Sequence, residues 1–582
     1  MKPRHNKRSV LTQAIGGIIS IAAGTAWGQA LPPDAGRLMD TVKEPPQAPR
    51  KSPTFDVQQE VRPALAPASG FKVAVKGFRF SGNSAIPEAE LLPLVKDLAG
   101  KELDLAALDQ AAGDISGYYR RKGYFVARAY LPAQEIKDGI VEIAVIEGRI
   151  GSVTVKRAPG MRLTEERAQQ IVTAAAAPGQ PITEKNVERG LLLLNDLPGV
   201  EVKSTLVPGA TPGASDLVVE ATEAGLVSGS VDVDNFGNRY TGRNRFGATL
   251  NINDPTGRGD QATLRGMSSG SGMTYGRASY MSPVGRYGTK LGVAVSDMHY
   301  KLGEEFTVLN ASGDAQVYSL FGLHPFVRSR DMNVYGVAGY DYKTLKDDRA
   351  GLNMDDKRIN LLNIGVTGDA RDGMGGGGMW NYGLSYISGR LDLSGNATNQ
   401  AFDQSATGQN TSGGYGKTNY NLSRLQRLSD RFSLYGNFNG QSASKNLDSS
   451  EKFILGGLGV RAYPQGEAPG DEGYLLNLEA RYDLPGLSSL GNLQFVGFVD
   501  SGWTKLHKSP WPGWNAGRPD YPNSYRLSGA GLGLNFYKST SFSVRASYAW
   551  KVGSNPGRDI NNRDSDNTND NGRFWVQAVK WF

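Results

Sequence analysis

Residue types able to do chemistry occur in this chain, but their spacing leaves each short of a mechanism. Gly266-Met267-Ser268-Ser269-Gly270 has the spacing of a nucleophile elbow, in which a serine hydroxyl on a sharp strand-to-helix turn attacks a carbonyl. Here the serine-glycine tract joins two alternating stretches, and no histidine–aspartate pair accompanies Ser268. Asn567-x-Asn569-x-Asn571-Gly572 echoes a calcium loop, yet its twelfth position is Ala578 instead of the bidentate glutamate. The glycine run 375–378 lacks the Lys-Ser/Thr pair that grips a phosphate. The four histidines (His5, His299, His324 and His507) are far apart and cysteine is absent, so disulfides, thiolate nucleophiles and a zinc site have no donors. We expect no catalytic residue, no metal and no cofactor.

The elements that would have to position such residues point elsewhere. Glycine is 75 of 582 residues, which argues against a helical bundle. The net charge of +7 owes four charges to Lys2, Arg4, Lys7 and Arg8, and so gives no support to nucleic-acid binding. Those basic residues precede a small, apolar stretch from Val10 to Ala26 and then Gly28-Gln29-Ala30, the layout of a secretory signal over 1–30. Residues 31–70 are rich in proline and read as an extended linker, since each proline removes a backbone donor and fixes φ. Within it, 34–43 reads either as unstructured linker or as a short helix capped by Asp34 with Leu38, Met39 and Val42 as its stripe.

Residues 71–147 and 148–223 repeat one order: strand, helix, helix, strand, strand. In the first copy a strand from Phe71 to Phe80 precedes a helix opened by Pro87. Asp104 then caps a helix whose Leu105, Leu108, Ala112, Ile115 and Tyr119 share one face. Strands are expected at 124–130 and 139–146. The second copy places strands at 150–155, 200–206 and 216–220 around helices 164–177 and 183–197. Two small α+β modules follow, each with one three-stranded sheet under two helices, and an open sheet edge can accept an extended peptide.

From 224 to 582 the pattern becomes strict alternation, as in Phe246, Ala248, Leu250 and Ile252 or Phe542, Val544, Ala546 and Tyr548. Sixteen strands fit, starting near 226, 245, 261, 273, 289, 312, 332, 356, 378, 413, 431, 473, 493, 525, 541 and 572. Short turns (254–260, 282–288, 429–431) alternate with long polar loops (392–412, 442–472, 505–524, 552–570). That asymmetry, with an even strand number, is the pattern of an outer-membrane barrel whose apolar face meets lipid. The fold class is therefore mixed: two α+β modules and a 16-stranded antiparallel transmembrane barrel.

The order of signal, linker, two modules and barrel resembles the outer-membrane transporters of two-partner secretion, the hemolysin-activator (TpsB; ShlB/FhaC/HecB) type. Tyr118-Tyr119-Arg120-Arg121-Lys122-Gly123-Tyr124 and Glu147-Gly148-Arg149 are similar to that family's first polypeptide-transport-associated (POTRA) module; Asp234-Asn235 resembles its barrel start. The resemblance implies a transporter in the outer membrane of a Gram-negative bacterium, with periplasmic POTRA modules 71–147 and 148–223. It implies that the modules recognise the amino-terminal secretion domain of a large partner (adhesin, cytolysin or contact-dependent toxin), which is exported without ATP. It also implies contact with membrane lipid and insertion by the barrel-assembly machinery. Insertion of other barrels and passive porin flow are the rival functions.

Two motifs carry the mechanism within that resemblance. The family's Val-Arg-Gly-Tyr loop is met as Val460-Arg461-Ala462-Tyr463, with alanine in place of glycine. Its Phe-x-Asp-x-Gly wall motif is met as Phe498, Asp500 and Gly502. The resemblance implies that the loop folds into the lumen and that Arg461 meets Asp500, a pair capable of a bidentate fork. The alanine is a concern if that position needs positive φ.

Overall fold

A computed structural model describes residues 32–42, 44, 46, 53–57, 72–485, 491–538 and 541–582. The expected signal, 1–30, lies outside the described residues. The expected linker contains two ordered pieces, a helix α1 (Ala35–Asp40) and a strand β1 (Thr54–Val57). Asp34 caps α1, its side chain accepting from the Arg37 N–H at 2.9 Å.

In the first module the expected strand 71–80 is broken into β2 (Lys72–Ala74) and β3 (Gly77–Ser81). The break arises because the backbone N–H groups of Val75 and Lys76 turn to the carbonyls of Lys101 and Gly139. α2 (Glu88–Val95) and β4 (Glu102–Asp104) follow, and Asp104 caps α3 (Leu105–Arg121) by accepting from Ala107 N–H at 2.8 Å. Leu108, Ala112, Ile115 and Tyr119 are all buried on one face of α3. β5 (Arg128–Tyr130) is shorter than expected, because Tyr124 N–H donates back to the Tyr119 carbonyl and Ala127 N–H to that of Tyr124. With β6 (Ile140–Ile146) the sheet order is β3-β6-β5. Glu147 ties the module together by accepting from Ala85 N–H at 2.6 Å and the Tyr119 hydroxyl at 3.0 Å. Burial first, then that bond, raises the Tyr119 pKa above the ordinary phenol value.

The second module comprises β7 (Arg149–Arg157), α4 (Glu165–Ala175), α5 (Glu184–Asn195), β8 (Val200–Pro208) and β9 (Ala214–Glu223). Thr164 and Thr183 cap the two helices. Its sheet has four strands instead of the expected three, in the order β1-β8-β9-β7, because the linker strand joins the β8 edge.

The barrel runs from β10 (Val227–Asp234) through β11 (Arg245–Asn253), β12 (Gln261–Ser268), β13 (Met273–Val284) and β14 (Thr289–Lys301) to β15 (Ala311–Arg328). β16 (Met332–Arg349), β17 (Leu352–Asp372), β18 (Gly378–Asp392), β19 (Gly413–Arg427) and β20 (Phe432–Ala443) continue it. After a short pair, β21 (Phe453–Ile454) and β22 (Pro469–Gly470), it resumes with β23 (Glu472–Asp483) and β24 (Asn492–Lys505). β25 (Ser524–Lys538), β26 (Phe542–Val552) and β27 (Gly572–Trp581) complete it, and β27 pairs antiparallel with β10 to close sixteen strands. Closure leaves no edge, the condition for spanning lipid with strands. The outer face carries Phe246, Leu264, Leu320, Ile364, Leu384 and Leu532, each at least 50% exposed, an apolar surface that needs lipid.

The second module sits on the short-turn side. Arg328 of β15 clasps Asp196 through two bonds of 2.7 Å, and Arg162 donates to the carbonyls of Asn253 and Asp254 at 3.0 and 3.1 Å. With large apolar side chains such as Phe246 and Leu532 facing outward, the protein should run as a single species by size-exclusion chromatography in detergent and aggregate when detergent is removed; a monodisperse peak in plain buffer would contradict the barrel.

Candidate functional site

The connection between β20 and β23, residues 444–471, turns inward. Its stem is the β21–β22 pair. Its tip is drawn into a tight turn by Val460 N–H donating to Leu455 O at 2.7 Å and Tyr463 N–H to Val460 O at 3.1 Å. Leu455, Val460, Ala462 and Tyr463 are fully buried and pack with Val496, Phe498 and Leu527 of the wall.

β24 supplies that wall. Its period-two alternation puts Phe498, Asp500 and Gly502 on one face, and Asp500 is wholly shielded from solvent. Gly502 is needed for clearance: a β-carbon there would lie 2.6 Å from Leu455 Cδ2.

Arg461 grips Asp500 three times. Its backbone N–H and Nε donate to Oδ2 at 3.0 and 2.9 Å, and Nη2 donates to Oδ1 at 2.7 Å. Nη1 reaches Glu479 Oε1 of β23 at 2.8 Å. The guanidinium also lies 3.5 Å from the Phe498 ring centroid, a cation–π contact strengthened by desolvation. Asn477 Nδ2 bridges Asp500 Oδ1 at 2.7 Å and Gly459 O at 2.9 Å. Trp575 Nε1 of β27 donates to the Arg461 carbonyl at 2.7 Å. A planar fork with each of its three nitrogens bonded fixes the loop's register in a way a lysine would not.

Ala462 is not among the residues with positive φ, so its methyl brings no backbone strain. The room comes from the facing strand, where a β-carbon on Gly529 would come within 2.6 Å of Ala462 Cβ. Tyr463 is fully buried, with Lys551 Nζ 5.2 Å from its ring centroid.

A second anchor holds the base of the same loop. Glu451 accepts from Lys343 at 2.8 Å and Lys417 at 2.9 Å, and Asp448 from Lys357 at 2.9 Å. Helix α1, which packs inside the ring against β15 and β16 and is termed the plug for that position, lies against this base: a β-carbon on Gly36 would stand 2.4 Å from Ser450 Cβ. Ala35 N–H donates to Asp347 Oδ1 of β16 at 2.9 Å, and Arg245 Nη1 to Thr41 O at 3.0 Å. Arg245 is itself forked on Asp234. Beside plug and loop remains a luminal cavity of about 950 Å³, walled by amides such as Asn419, Asn421, Asn437 and Asn439. Over the outer side, in the connection 506–523, His507 sits edge-on to Trp511 and Trp514, and burial, helped by Lys452, pushes its pKa down to about 3.

All seven expected motif residues thus meet on one side of the lumen, Val460 to Tyr463 on the loop and Phe498, Asp500 and Gly502 on the wall. Sequence reasoning missed Glu479, Asn477, Trp575, the three lysines and Arg245. Glu479 and Asn477 stand on the polar face of an alternating strand, a signal that marks them as luminal but not as partners of Arg461.

A strand cylinder closed around a plug and an inward loop, with α+β modules at its short-turn side, defines an outer-membrane β-barrel transporter with periplasmic modules. Residues 73–148 match the POTRA domain of ShlB type, and residues 213–536 match the haemolysin secretion/activation protein family ShlB/FhaC/HecB. The chain belongs to that family. It is 29% identical to the heme/hemopexin transporter protein HuxB of Haemophilus influenzae strain 86-028NP, over the whole of both chains. Another Haemophilus influenzae HuxB is 30% identical over 86% of this chain and 85% of its own. The solved CdiB from Escherichia coli has the same fold, with a TM-score of 0.69 at 22% identity over 90% of this chain and 93% of that one.

Because Gly36 touches the loop base with no space to spare, Gly36→Leu should unseat α1 and raise single-channel conductance in planar bilayers several-fold; unchanged conductance would show that α1 does not occlude the lumen. Gly529→Ala should crowd Ala462 and lower the temperature at which the loop becomes protease-sensitive, whereas the Gly529→Ala/Ala462→Gly pair should recover it.

Proposed function

We propose that this transporter binds a large partner exoprotein on its periplasmic side and passes it, unfolded, through the lumen by two-partner secretion, folding outside supplying the drive. The observation that carries the reading is the Arg461–Asp500 clamp. It is a lock on a luminal loop in a ring wide enough, at sixteen strands, for an aqueous channel once cleared. A static structural pair would not need a loop brought in from the outer side to meet it.

In this reading α1 leaves first, since it rests on the loop base at Ser450. The loop then swings out as Arg461 exchanges Asp500 for solvent or for cargo carboxylates. The amide-lined wall offers donors and acceptors to an extended backbone without favouring a sequence. One relative named as a heme/hemopexin transporter aligns along the full chain and another along 86% of it, so an exported protein that engages heme or hemopexin is the cargo to test first, ahead of an adhesin, cytolysin or contact-dependent toxin. Membrane lipid around the barrel and the barrel-assembly machinery for insertion complete the proposed partners.

Removing one member of a buried charge pair costs about 3–5 kcal/mol, so Arg461→Asp should abolish secretion of the partner into culture medium while the barrel still inserts. Exchanging both charges should restore secretion only weakly, because the new Asp at position 461 faces Glu479, and adding Glu479→Gln should improve it. Normal secretion by Arg461→Asp would refute the clamp's role. Deleting 71–223 should stop secretion while ion conductance persists, which separates a transporter from a passive porin.

A further inference from the structure

Alternation gives β19 to β25 a lipid face as well as a luminal one, and near the outer loops that face carries an ordered row of side chains. Tyr420, Phe438, Tyr474 and Trp503, from β19, β20, β23 and β24, touch in sequence, with ring centroids 5.8, 6.1 and 5.6 Å apart. Gly440 keeps the row continuous: it pairs with both Tyr420 and Tyr474, and a β-carbon there would strike the Tyr420 ring. Arg526 of β25 stands opposite Trp503 and ends the row. Its Nη2 donates to the Tyr474 hydroxyl oxygen at 3.3 Å, and no carboxylate pairs with it among the described residues. One step towards the outer loops, Lys505 and Lys508 share the carboxylate of Glu472 at 3.8 and 2.6 Å. One step towards the membrane centre, the hydroxyls of Ser501 and Ser528 meet at 3.0 Å on paired strands. Below them follow the exposed apolar side chains of Leu478, Val499 and Leu532.

We infer that this patch on β23–β25 binds the phosphorylated head group of an outer-leaflet glycolipid of the lipid A kind, a disaccharide phosphate carrying several acyl chains. Down the wall the side chains match such a lipid in order: cations for phosphate, aromatic rings for the sugar, serine hydroxyls for the amide and ester links, apolar residues for the chains. Arginine and lysine hold phosphate through charge-assisted hydrogen bonds, and tyrosine and tryptophan settle at the membrane–water interface. From β19 to β25 the row crosses four strand spacings, about 19 Å, which is wider than the two chains of a glycerophospholipid require. Charge singles out this sector of the cylinder. Arg526, Lys505 and Lys508 surround one carboxylate here. On β15–β18, by contrast, Lys346 faces both Asp314 and Asp356, and Arg358 faces Asp392, so that sector offers a phosphate as much repulsion as attraction.

The back of this patch is the wall that holds the clamp. Tyr474 and Trp503 stand on the outer face of the same two strands whose inner face carries Asn477, Glu479 and Asp500. A lipid seated outside therefore braces the strands that grip Arg461. The inference concerns a lipid and stands apart from the export reading.

Full-length protein in detergent, its barrel verified by heat-modifiable gel mobility, should bind one bis-phosphorylated lipid A in native mass spectrometry. Reversing the charges with Arg526→Glu/Lys505→Glu should weaken that binding about tenfold, whereas Arg390→Glu on β18 should leave it unchanged. If the reversed variant fails to fold, Arg526→Gln/Lys505→Gln carries the same test. Phosphatidylglycerol should bind about tenfold more weakly than lipid A, and excess inorganic phosphate should not displace the lipid. Bound lipid A should also raise the temperature at which the inward loop becomes protease-sensitive in the wild type but not in the reversed variant. Undiminished binding by the charge variants, an equal loss in Arg390→Glu, equal affinity for phosphatidylglycerol or displacement by inorganic phosphate overturns the inference. An equal rise in protease resistance in both proteins overturns it too.

Discussion

A sheet that must satisfy all its backbone groups inside lipid has to close on itself, and sixteen strands close around a hole too large for wall side chains to fill. The rest of this structure follows from how that hole is occupied. The apolar outer residues need only face lipid, and they do so singly along each strand. The luminal residues have to hold two foreign pieces of chain, α1 and the inward loop. They do it with charges whose partners are supplied across the opening: Lys343, Lys357 and Lys417 for the loop base, Asp500 and Glu479 for its tip, Asp347 and Arg245 for the plug. Ionic contacts suit this task. Breaking one where both partners are buried is costly, but water or a charged cargo can replace either partner as the lumen opens, which an apolar seal would not allow.

Much of the scaffold was legible in the residues. Fifteen of the sixteen barrel strands begin within about a residue of the positions expected from period-two alternation, because lipid and lumen impose opposite demands on successive side chains. The exception is β17, which begins at Leu352 and not near 356. Its first residues include Asn353, Asp355 and Asp356, which break the apolar–polar alternation that marks a strand. The helix over 35–40 hung on one cap, Asp34, and three apolar residues, too little to separate it from linker; it forms because the barrel wall supplies Asp347 and the loop base Ser450 as neighbours.

The site was legible in part. Arg461 and Asp500 stand 39 residues apart on different elements, and only the family pattern suggested that they meet. Glu479, Asn477 and Trp575 were invisible as partners because their roles depend on register between strands and on the path of the loop, neither of which a local pattern encodes. Ala462 shows the converse: the doubt raised by an alanine in a glycine position is answered by Gly529, on a strand that no motif links to the loop. The fourth strand of the second module was missed for a similar reason, since Thr54–Val57 has neither length nor alternation enough to announce itself apart from the edge it joins.

The joint between β10 and β27 also governs the order of events during assembly. It pairs residues as far apart as Ser230 and Trp581, so ring closure carries the largest entropic cost of any pairing in the cylinder and is expected to come last. By then α1, synthesised before any of the sixteen strands, must already lie between the two free margins or else be threaded through the mouth of a finished ring. The hydrogen bond from Trp581 to Pro46 places the linker directly beside the closing strand, so the final turn of biogenesis and the loading of the stopper occur at the same spot. A newborn copy that zipped shut with α1 outside would leak until α1 entered through the mouth, so an error in assembly would surface as lost permeability control before any failure to secrete.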